Sequence, residues 1–586
     1  MEAKGTNYER FPVIAVEMPE EERRGSQAAV EGYPEICRGL LDACAGRKKT
    51  ILTVECYPGT GLSELLEGLR GLAPAKVIVS DDLAFEPEKM DALLEKDLTD
   101  DPVFGIMTVR RMEDFFYPEK LAKAREEAER VPEGIVLICG TGASLIHPGD
   151  ILVYADITRW EIQLRYRRGM KNWRTAKEDV PRLEKYKRGY FAEWRWADRI
   201  KDGLLDRFDY YLDMAEEGRA AMVGGDAYRR ALCHTARRPF RMVPYFDPGV
   251  WGGDWMKNHF GLPENGSNYA WSFDGVPEEN SLLFDFGGVK IQSPALNLVY
   301  AQARPLLGER VHARFGKEFP IRFDLLDTIH GQNLSLQVHP LTEYIQRNFN
   351  MHYTQDESYY ILDAEGEDTC VYLGVKERID PADMAEDLEA AQRGEKLFPA
   401  ENYVNRIPVK KHDHLLIPAG TVHCSGANTM VLEISATPYI FTFKMWDWGR
   451  LDLNGKPRPV HLKHGLANVQ WDRDTSWVKK NLVNQVTTVY EQDGNLVERT
   501  GLHEREFIDT FRVSTKSRVS IQRNGSVHVL NLVDGKEAML VSENGSFEPF
   551  ALHYAETCIV PEAAGPYALV SPDGEPVKII LACVRP

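Results

Sequence analysis

The sequence predicts a multidomain α/β plus β protein, with a parallel α/β domain followed by a mostly β second half. Three observations predict it. Up to about residue 235, continuous apolar runs alternate with helical segments, the pattern of a sheet buried on both faces. Beyond residue 236, Pro, Gly and aromatic residues rise and short alternating runs take over. The chain has 586 residues, more than one domain of roughly 100–200 residues accommodates.

KKTILTVECY (48–57) reads as an apolar strand, and SELLEGLRGL (63–72) as a helix with Leu65, Leu66 and Leu69 on one face. AKVIVSDD (75–82) is a buried-type strand ending in acids, and EGIVLICGTGASLI (133–146) and DILVYADIT (150–158) add two more. Residues 159–232 are charged and read as helical throughout. In the second half one helical insertion is expected, PADMAEDLEAAQRGEKLF (381–398). The turn signals DGNL, RNGS and ENGS punctuate strands between 493 and 546. No repeat or low-complexity tract is visible.

The formal charge of −18 excludes a nucleic-acid partner, which would require clustered positive charge. No apolar run reaches the ~18 residues of a membrane span, so no membrane partner is expected. The N-terminus MEAKGTNYERFPVIAVEMPEEERRG lacks the apolar core of a secretory leader. The nine cysteines are scattered without a CxxC pair and read as reduced thiols. These features together predict a cytoplasmic protein and leave its oligomeric state open.

The chemistry concentrates in three short segments: SLQVHP (335–340), DESYYIL (356–362) and IPAGTVHCSG (417–426). They offer Gln337, His339, Glu357 and His423, a plausible four-ligand metal set on strands or strand edges. Alone, His339 reads as a strand-end histidine and Glu357 as a surface acid. With the PAGTVH turn aiming His423 inward, the four read as a metal site.

WGG (251–253), FPIRFDLLD (319–327), LSLQVHP (334–340), ESYYILDAE (357–365), HLLIPAGTVHCSG (414–426), LEIS (432–435), TFKMWDWGR (442–450) and RPVHLKHGL (458–466) follow one another in an order that resembles class I mannose-6-phosphate isomerases. The resemblance covers about residues 240–586. It implies a cupin-type β-barrel carrying Zn2+ on Gln337, His339, Glu357 and His423, then a second, smaller barrel without catalytic residues. It also implies interconversion of mannose 6-phosphate and fructose 6-phosphate through an enediol(ate). Glu433 matches a position considered for acid/base work, and Lys444 stands where the family has an Arg near the reacting carbons. Ser335 matches a retained residue at the phosphate end. His412 and His414 flank Asp413 where the family has Gly-Asp, and their role stays open.

The departures from the family fall on positive charge. A family Lys aligns with Asp324, with Arg322 two residues earlier on the same strand face, and a second aligns with Gln355. Replacing Lys by Asp adds repulsion toward a phosphate dianion, which Arg forks or Lys charges hold best. Phosphate is then expected on other groups, such as Arg322 or Arg347. Two alternatives follow: an isomerase of a related or unphosphorylated sugar, and a metal-binding sugar sensor or scaffold without turnover.

The sequence thus divides into an α/β domain (1–235), a metal-bearing domain with a helical insertion (236–460) and a C-terminal β-barrel (461–586). In the first, CYPGTGLSE (56–64) resembles a degenerate phosphate loop of uridine-kinase-like nucleoside kinases. VIVSDDL (77–83) and ADITRWEIQLRYRRGM (155–170) resemble that family's acidic strand and Arg-rich lid, over roughly residues 48–210. Gly59, Gly61 and Ser63 hold their places, but Leu62 stands for the Lys and Glu55 for the first Gly. Arg165, Arg167 and Arg168 read either as an anion site or as a solvated helix face. Without the Lys charge on the transferring phosphoryl group, no kinase turnover is expected. ATP titrated into the isolated N-terminal domain, alongside a phosphoryl-transfer assay, checks this reading; transfer from ATP would overturn it.

Overall fold

The computed structural model describes residues 7–19, 29–264, 268–436, 439, 441–451, 457–501 and 503–586. Part of the N-terminal segment read for a leader lies outside the described residues. The chain forms two compact units: Pro12–Ala236 with Glu278–Gln302, and Met1–Phe11 with Arg237–Pro277 and Ala303–Pro586. Residues 278–302, placed by the sequence reading in the second domain, thus pack with the first unit. Among the described residues no helix is long and apolar enough to cross a membrane.

The first unit is built on a seven-stranded sheet. Its parallel strands, across the sheet, are Lys76–Val79, Gly134–Gly140, Lys49–Cys56, Ile151–Asp156 and Tyr210–Asp213. In chain order that is second, third, first, fourth, fifth. Ala221–Gly224 and Val30–Glu31 extend it antiparallel. Alternate residues serve opposite faces. Leu52, Val54 and Cys56 pack with Ile36, Leu40, Leu65 and Leu69 on one face, while Ile51, Val136 and Ile138 pack with Ala124 and Ala128 on the other. Burial on both faces is why the sequence runs apolar without alternation here. Tyr210–Asp213 and Ala221–Gly224 are two strands inside the stretch read as helical. YYLD and AMVG are fully buried but too short for a periodicity to register among their charged flanks.

The turn after Lys49–Cys56 has Gly59 and Gly61 at φ 105° and 80°, a left-handed backbone that glycine tolerates. Arg165 is buried; its guanidinium donates to the carbonyls of Gly59 at 2.8 Å and Met214 at 2.7 Å. Arg168 pairs with Glu161 and Glu217. Neither the anion-site reading nor the solvated-face reading of this cluster describes Arg165, which serves instead to tie backbone together. Glu55 is buried, and its two oxygens accept the amides of Gly142 and Ser144, each at 2.7 Å. Burial outweighs those bonds and pushes its carboxyl up to about 7.

The second unit holds two modules of paired antiparallel sheets. In the first module, the six-stranded sheet runs His414–Ile417, Glu357–Ala364, Thr429–Ser435, Arg322–Asp327, Trp271–Gly275, Tyr245–Asp247. The five-stranded sheet runs Val404–Pro408, Cys370–Val375, His423–Ser425, Leu336–Val338, Phe443–Trp446. In the second module, a six-stranded and a four-stranded sheet share one apolar core including Leu530, Leu540, Leu552, Leu569, Ile579 and Leu581. Asp493 and Gly494, both at positive φ, turn the hairpin between Thr487–Gln492 and Asn495–Arg499, as the DGNL signal predicts. The expected insertion forms the helix Pro381–Gln392. Further short helices, among them Glu309–Phe315, Thr342–Phe349 and Thr475–Asn481, break the expectation of a single one. Seven or eight residues give too few turns for a periodic signature.

His414 is 1% exposed, faces the Tyr360 ring, and neither ring nitrogen has a hydrogen-bond partner. Burial, with Arg512 nearby, pushes its pKa down from 6.5 to about 3. The unfolded chain therefore takes a proton below 6.5 that the folded chain refuses, so stability is lost as pH falls from 6.5 toward 3. At pH 5 the loss from this residue is about 2 kcal/mol. Urea denaturation at pH 7 and pH 5 tests this; His414→Leu should shrink the difference between the two by that amount.

Candidate metal centre

The strand Leu336–Val338 places Gln337 in register with His423 on one neighbour and Lys444 on the other. His339, two residues on, shares the Gln337 face by strand alternation. On the opposing sheet, Glu357 heads its strand and lies in register with Ser435. The two sheets bring these groups together inside the module. Glu357 Oε2 is 3.0 Å from His339 Nε2, and Glu357 Oε1 is 2.8 Å from His423 Nε2. Gln337 Nε2 lies 3.1 Å from His423 Nε2, and a half-turn of the amide presents Oε1 there instead. Ligand atoms of His339, Glu357 and His423 all fall within 4.8 Å of one another, and all three residues are buried.

Backbone carbonyls fix both rings. His339 Nδ1 faces Phe441 O at 2.8 Å, and His423 Nδ1 faces Thr421 O at 2.9 Å. A carbonyl only accepts, so each Nδ1 carries a hydrogen, and each Nε2 is the ring atom turned toward Glu357 and left to serve a metal ion. Gln355 spans the same elements: it donates to Glu357 Oε2 at 3.0 Å and accepts from Phe441 N at 3.1 Å. Burial alone would raise the Glu357 carboxyl, but His339 and His423 hold it well below the usual carboxylate range. Burial is the largest single influence on His339 and lowers its pKa, but the charge and hydrogen bond of Glu357, with the Phe441 carbonyl and Asp356, together hold it above 6.5. His339 Nε2 and Glu357 Oε1 lack a hydrogen bond of sound geometry. These separations are hydrogen-bond distances, and a small outward shift to about 3.4 Å would let the same atoms surround a tetrahedral cation at about 2.1 Å. Two imidazole nitrogens, a carboxylate and an amide oxygen fit a divalent ion.

Behind this set, Asp324, Glu433 and Tyr359 share one register across three strands. Glu433 is buried; burial first, then the charges of Glu357 and Asp324, push it well above the usual carboxylate range. Arg322, expected to meet phosphate, is buried with Nε and Nη2 on Asp324 at 2.8 and 2.7 Å. Arg347 is 79% exposed and pairs with Glu343 on its own helix. Ser335 donates to Asp447. Arg450 also binds Asp447, and Arg458 reaches its other oxygen at 2.8 Å. Burial, then Arg458, lowers the Lys444 pKa. The structure thus gathers Lys444, Arg450 and Arg458 into one basic cluster beside Ser335. Arg450 and Arg458 went unnoticed in the sequence although both lie inside quoted segments. A loop arginine carries no periodicity, and only the shared contact with Asp447 marks it.

Comparison with known proteins divides the chain in the same place. Residues 32–237 match a family described as a domain of unknown function (DUF8485). The mannose-6-phosphate isomerase ManA of Bacillus subtilis (strain 168) is 24% identical over 307 residues, 52% of this chain and 88% of the relative. Just over half of the chain is homologous to mannose-6-phosphate isomerases. The enzyme of that name from Streptococcus mutans is 23% identical over 314 residues, 53% of this chain and 89% of its own. The crystal structure of the mannose 6-phosphate isomerase from Bacillus subtilis aligns with a TM-score of 0.47 at 19% identity, covering 59% of this chain and 99% of that one.

The Arg322–Asp324 pair generates a stability prediction. Removing one partner strands a buried charge, which costs about 3–5 kcal/mol. Asp324→Ala should therefore destabilise the second unit by that order in denaturant titrations, whereas Arg347→Ala should have no measurable effect.

Proposed function

We propose that the chain is a metal-dependent aldose–ketose isomerase that interconverts mannose 6-phosphate and fructose 6-phosphate. The observation that carries this reading is the convergence of His339, Glu357 and His423 beside a cluster of three cations. Homology to isomerases supports the reaction class, and the paired-sheet modules read as cupin barrels. Gln337, His339, Glu357 and His423 would hold the ion, for which zinc is the first candidate and Fe, Mn or Co are compatible. When bound, the ion supplies a positive charge that stabilises the oxyanion developing as a proton moves between C1 and C2.

The chain's own residues supply the rest. Arg450 and Arg458, which share Asp447, are the candidate anchors for a phosphate group, which guanidinium forks hold well. Ser335 adds a hydroxyl at that end. Glu433 is the candidate acid/base: its burial, with the charges of Glu357 and Asp324, raises its pKa, the direction that suits a proton shuttle. Lys444 stands nearest the ligand set in register, and its lowered pKa suits proton donation to a sugar oxygen. The buried Arg322–Asp324 pair favours a second reading, a related or unphosphorylated sugar, since a family cation is replaced there by a neutralised pair. The α/β unit is read as a kinase-derived fold without phosphoryl transfer, on the strength of Leu62 and the internally bonded Glu55.

The test is a coupled assay of the zinc-loaded protein with mannose 6-phosphate, fructose 6-phosphate, mannose and fructose. Turnover of the phosphosugars, abolished by chelation and by His423→Ala, is expected. Arg450→Ala should raise KM for mannose 6-phosphate about tenfold or more, the cost of one charged hydrogen bond. Turnover of free sugars alone would select the second reading, and no turnover of any sugar would leave only a non-catalytic sensor.

A further inference from the structure

The turn Pro418–Thr421 immediately precedes the His423 strand, and its oxygens converge on one guanidinium. Arg473 Nη1 donates to Pro418 O and Ala419 O, each at 2.7 Å, and to Oγ1 of Thr421. Thr421 Oγ1 in turn donates to Pro418 O at 2.7 Å, and the Thr421 carbonyl receives His423 Nδ1 at 2.9 Å. The amides of the turn point to the other candidate ligands. Ala419 N donates at 2.7 Å to Asp356, the neighbour of Glu357, and Gly420 N donates at 2.9 Å to the carbonyl of His339 itself. Four residues therefore touch the segments of all three clustered ligands.

The turn is also closely packed by the segment that carries Arg473. Gly420 sits at φ +86°, and a Cβ there would meet Gln470 and the Asn468 carbonyl at 2.7 and 2.8 Å. Arg473 is 1% exposed, lies over the Trp477 ring at 5.6 Å and has no carboxylate within ion-pair distance among the described residues. Burying a guanidinium on carbonyls alone is costly, and simple filling of space would be met more cheaply by an apolar residue.

We propose that Arg473 is a positioning residue for the metal centre: its guanidinium fixes the Pro418–Thr421 turn so that His423 Nε2 and Glu357 stand at ligand separation before an ion arrives. The inference rests on the metal reading above. It assigns to the segment after residue 460 a part in a site whose candidate ligands all precede it.

Zinc affinity by chelator competition, and the visible spectrum of the cobalt-substituted protein, test it. Arg473→Gln should weaken zinc binding about 10–100-fold, the usual effect of removing a group that orients ligands, and should shift the cobalt bands. Thr421→Val, which removes the hydroxyl bonded to Arg473 and to the Pro418 carbonyl but leaves the guanidinium on Pro418 O and Ala419 O, should give a smaller loss in the same direction. Arg473→Gly should regain affinity when methylguanidinium is added, a recovery that a space-filling role does not predict. Circular dichroism identifies variants that fail to fold; if Arg473→Gln is among them, Thr421→Val and the rescue decide. Unchanged affinity and spectrum in the folded variants would overturn the inference while leaving the metal reading intact. Absence of zinc binding by the wild-type protein would instead remove the metal reading itself.

Discussion

One carboxylate held between two imidazoles organises the second unit. Both oxygens of Glu357 are within 3.0 Å of a histidine nitrogen in a site sealed from water. Burying such a group costs several kcal/mol unless its charge is matched. The arrangement persists because each partner is constrained from behind. Carbonyls of Phe441 and Thr421 set the tautomer of the rings, and Gln355 joins Glu357 to the backbone of Phe441. Sheet register does the remainder: Gln337, His423 and Lys444 are cross-strand neighbours, so their spacing follows from pairing rather than from flexible loops.

The first unit treats a buried carboxylate in the opposite way. Ligands in doubly wound sheets bind beyond the carboxyl ends of the strands, where the chain order switches direction. Here the first and third parallel strands are neighbours, and Glu55 at the end of one reaches the amides of Gly142 and Ser144 beyond the end of the other. Those amides are the donors that a bound anion would otherwise use. Arg165 likewise spends its charge on the Gly59 and Met214 carbonyls. In this unit those amides and that guanidinium are satisfied within the chain.

How much could be read in advance follows from the physics of each signal. The strands Lys49–Cys56 and Gly134–Gly140 announce themselves because burial on both faces demands a continuous apolar run. Tyr210–Asp213 does not, because four residues carry no period. Gln337, His339, Glu357 and His423 are legible only together: singly His339 and Glu357 look structural, and the PAGTVH turn with the order of the surrounding segments makes them a set. Arg450, Arg458 and Arg473 are illegible for a different reason. A charged residue in a loop violates nothing, and its meaning lies in contacts that no periodicity displays: Arg450 and Arg458 with Asp447, Arg450 with the Asn333 carbonyl, and Arg473 with Thr421.

The same reasoning constrains what the replacement of a family Lys by Asp324 means. An isolated carboxylate at that place would repel an anionic substrate at short range and, buried, would itself be destabilised. Arg322, two residues away on the same face, removes both problems by pairing with it, and the Phe273 ring lies beneath the guanidinium at 5.1 Å. The pair is electrically neutral as a unit, so the change exchanges a cation for a dipole rather than for a repulsive charge. Positive charge is concentrated instead at Lys444, Arg450 and Arg458, moderated by Asp447, on the opposite sheet. A substrate whose anionic end lies along that sheet keeps its attraction. Under the isomerase reading proposed above, one that depended on the Arg322 wall would lose it.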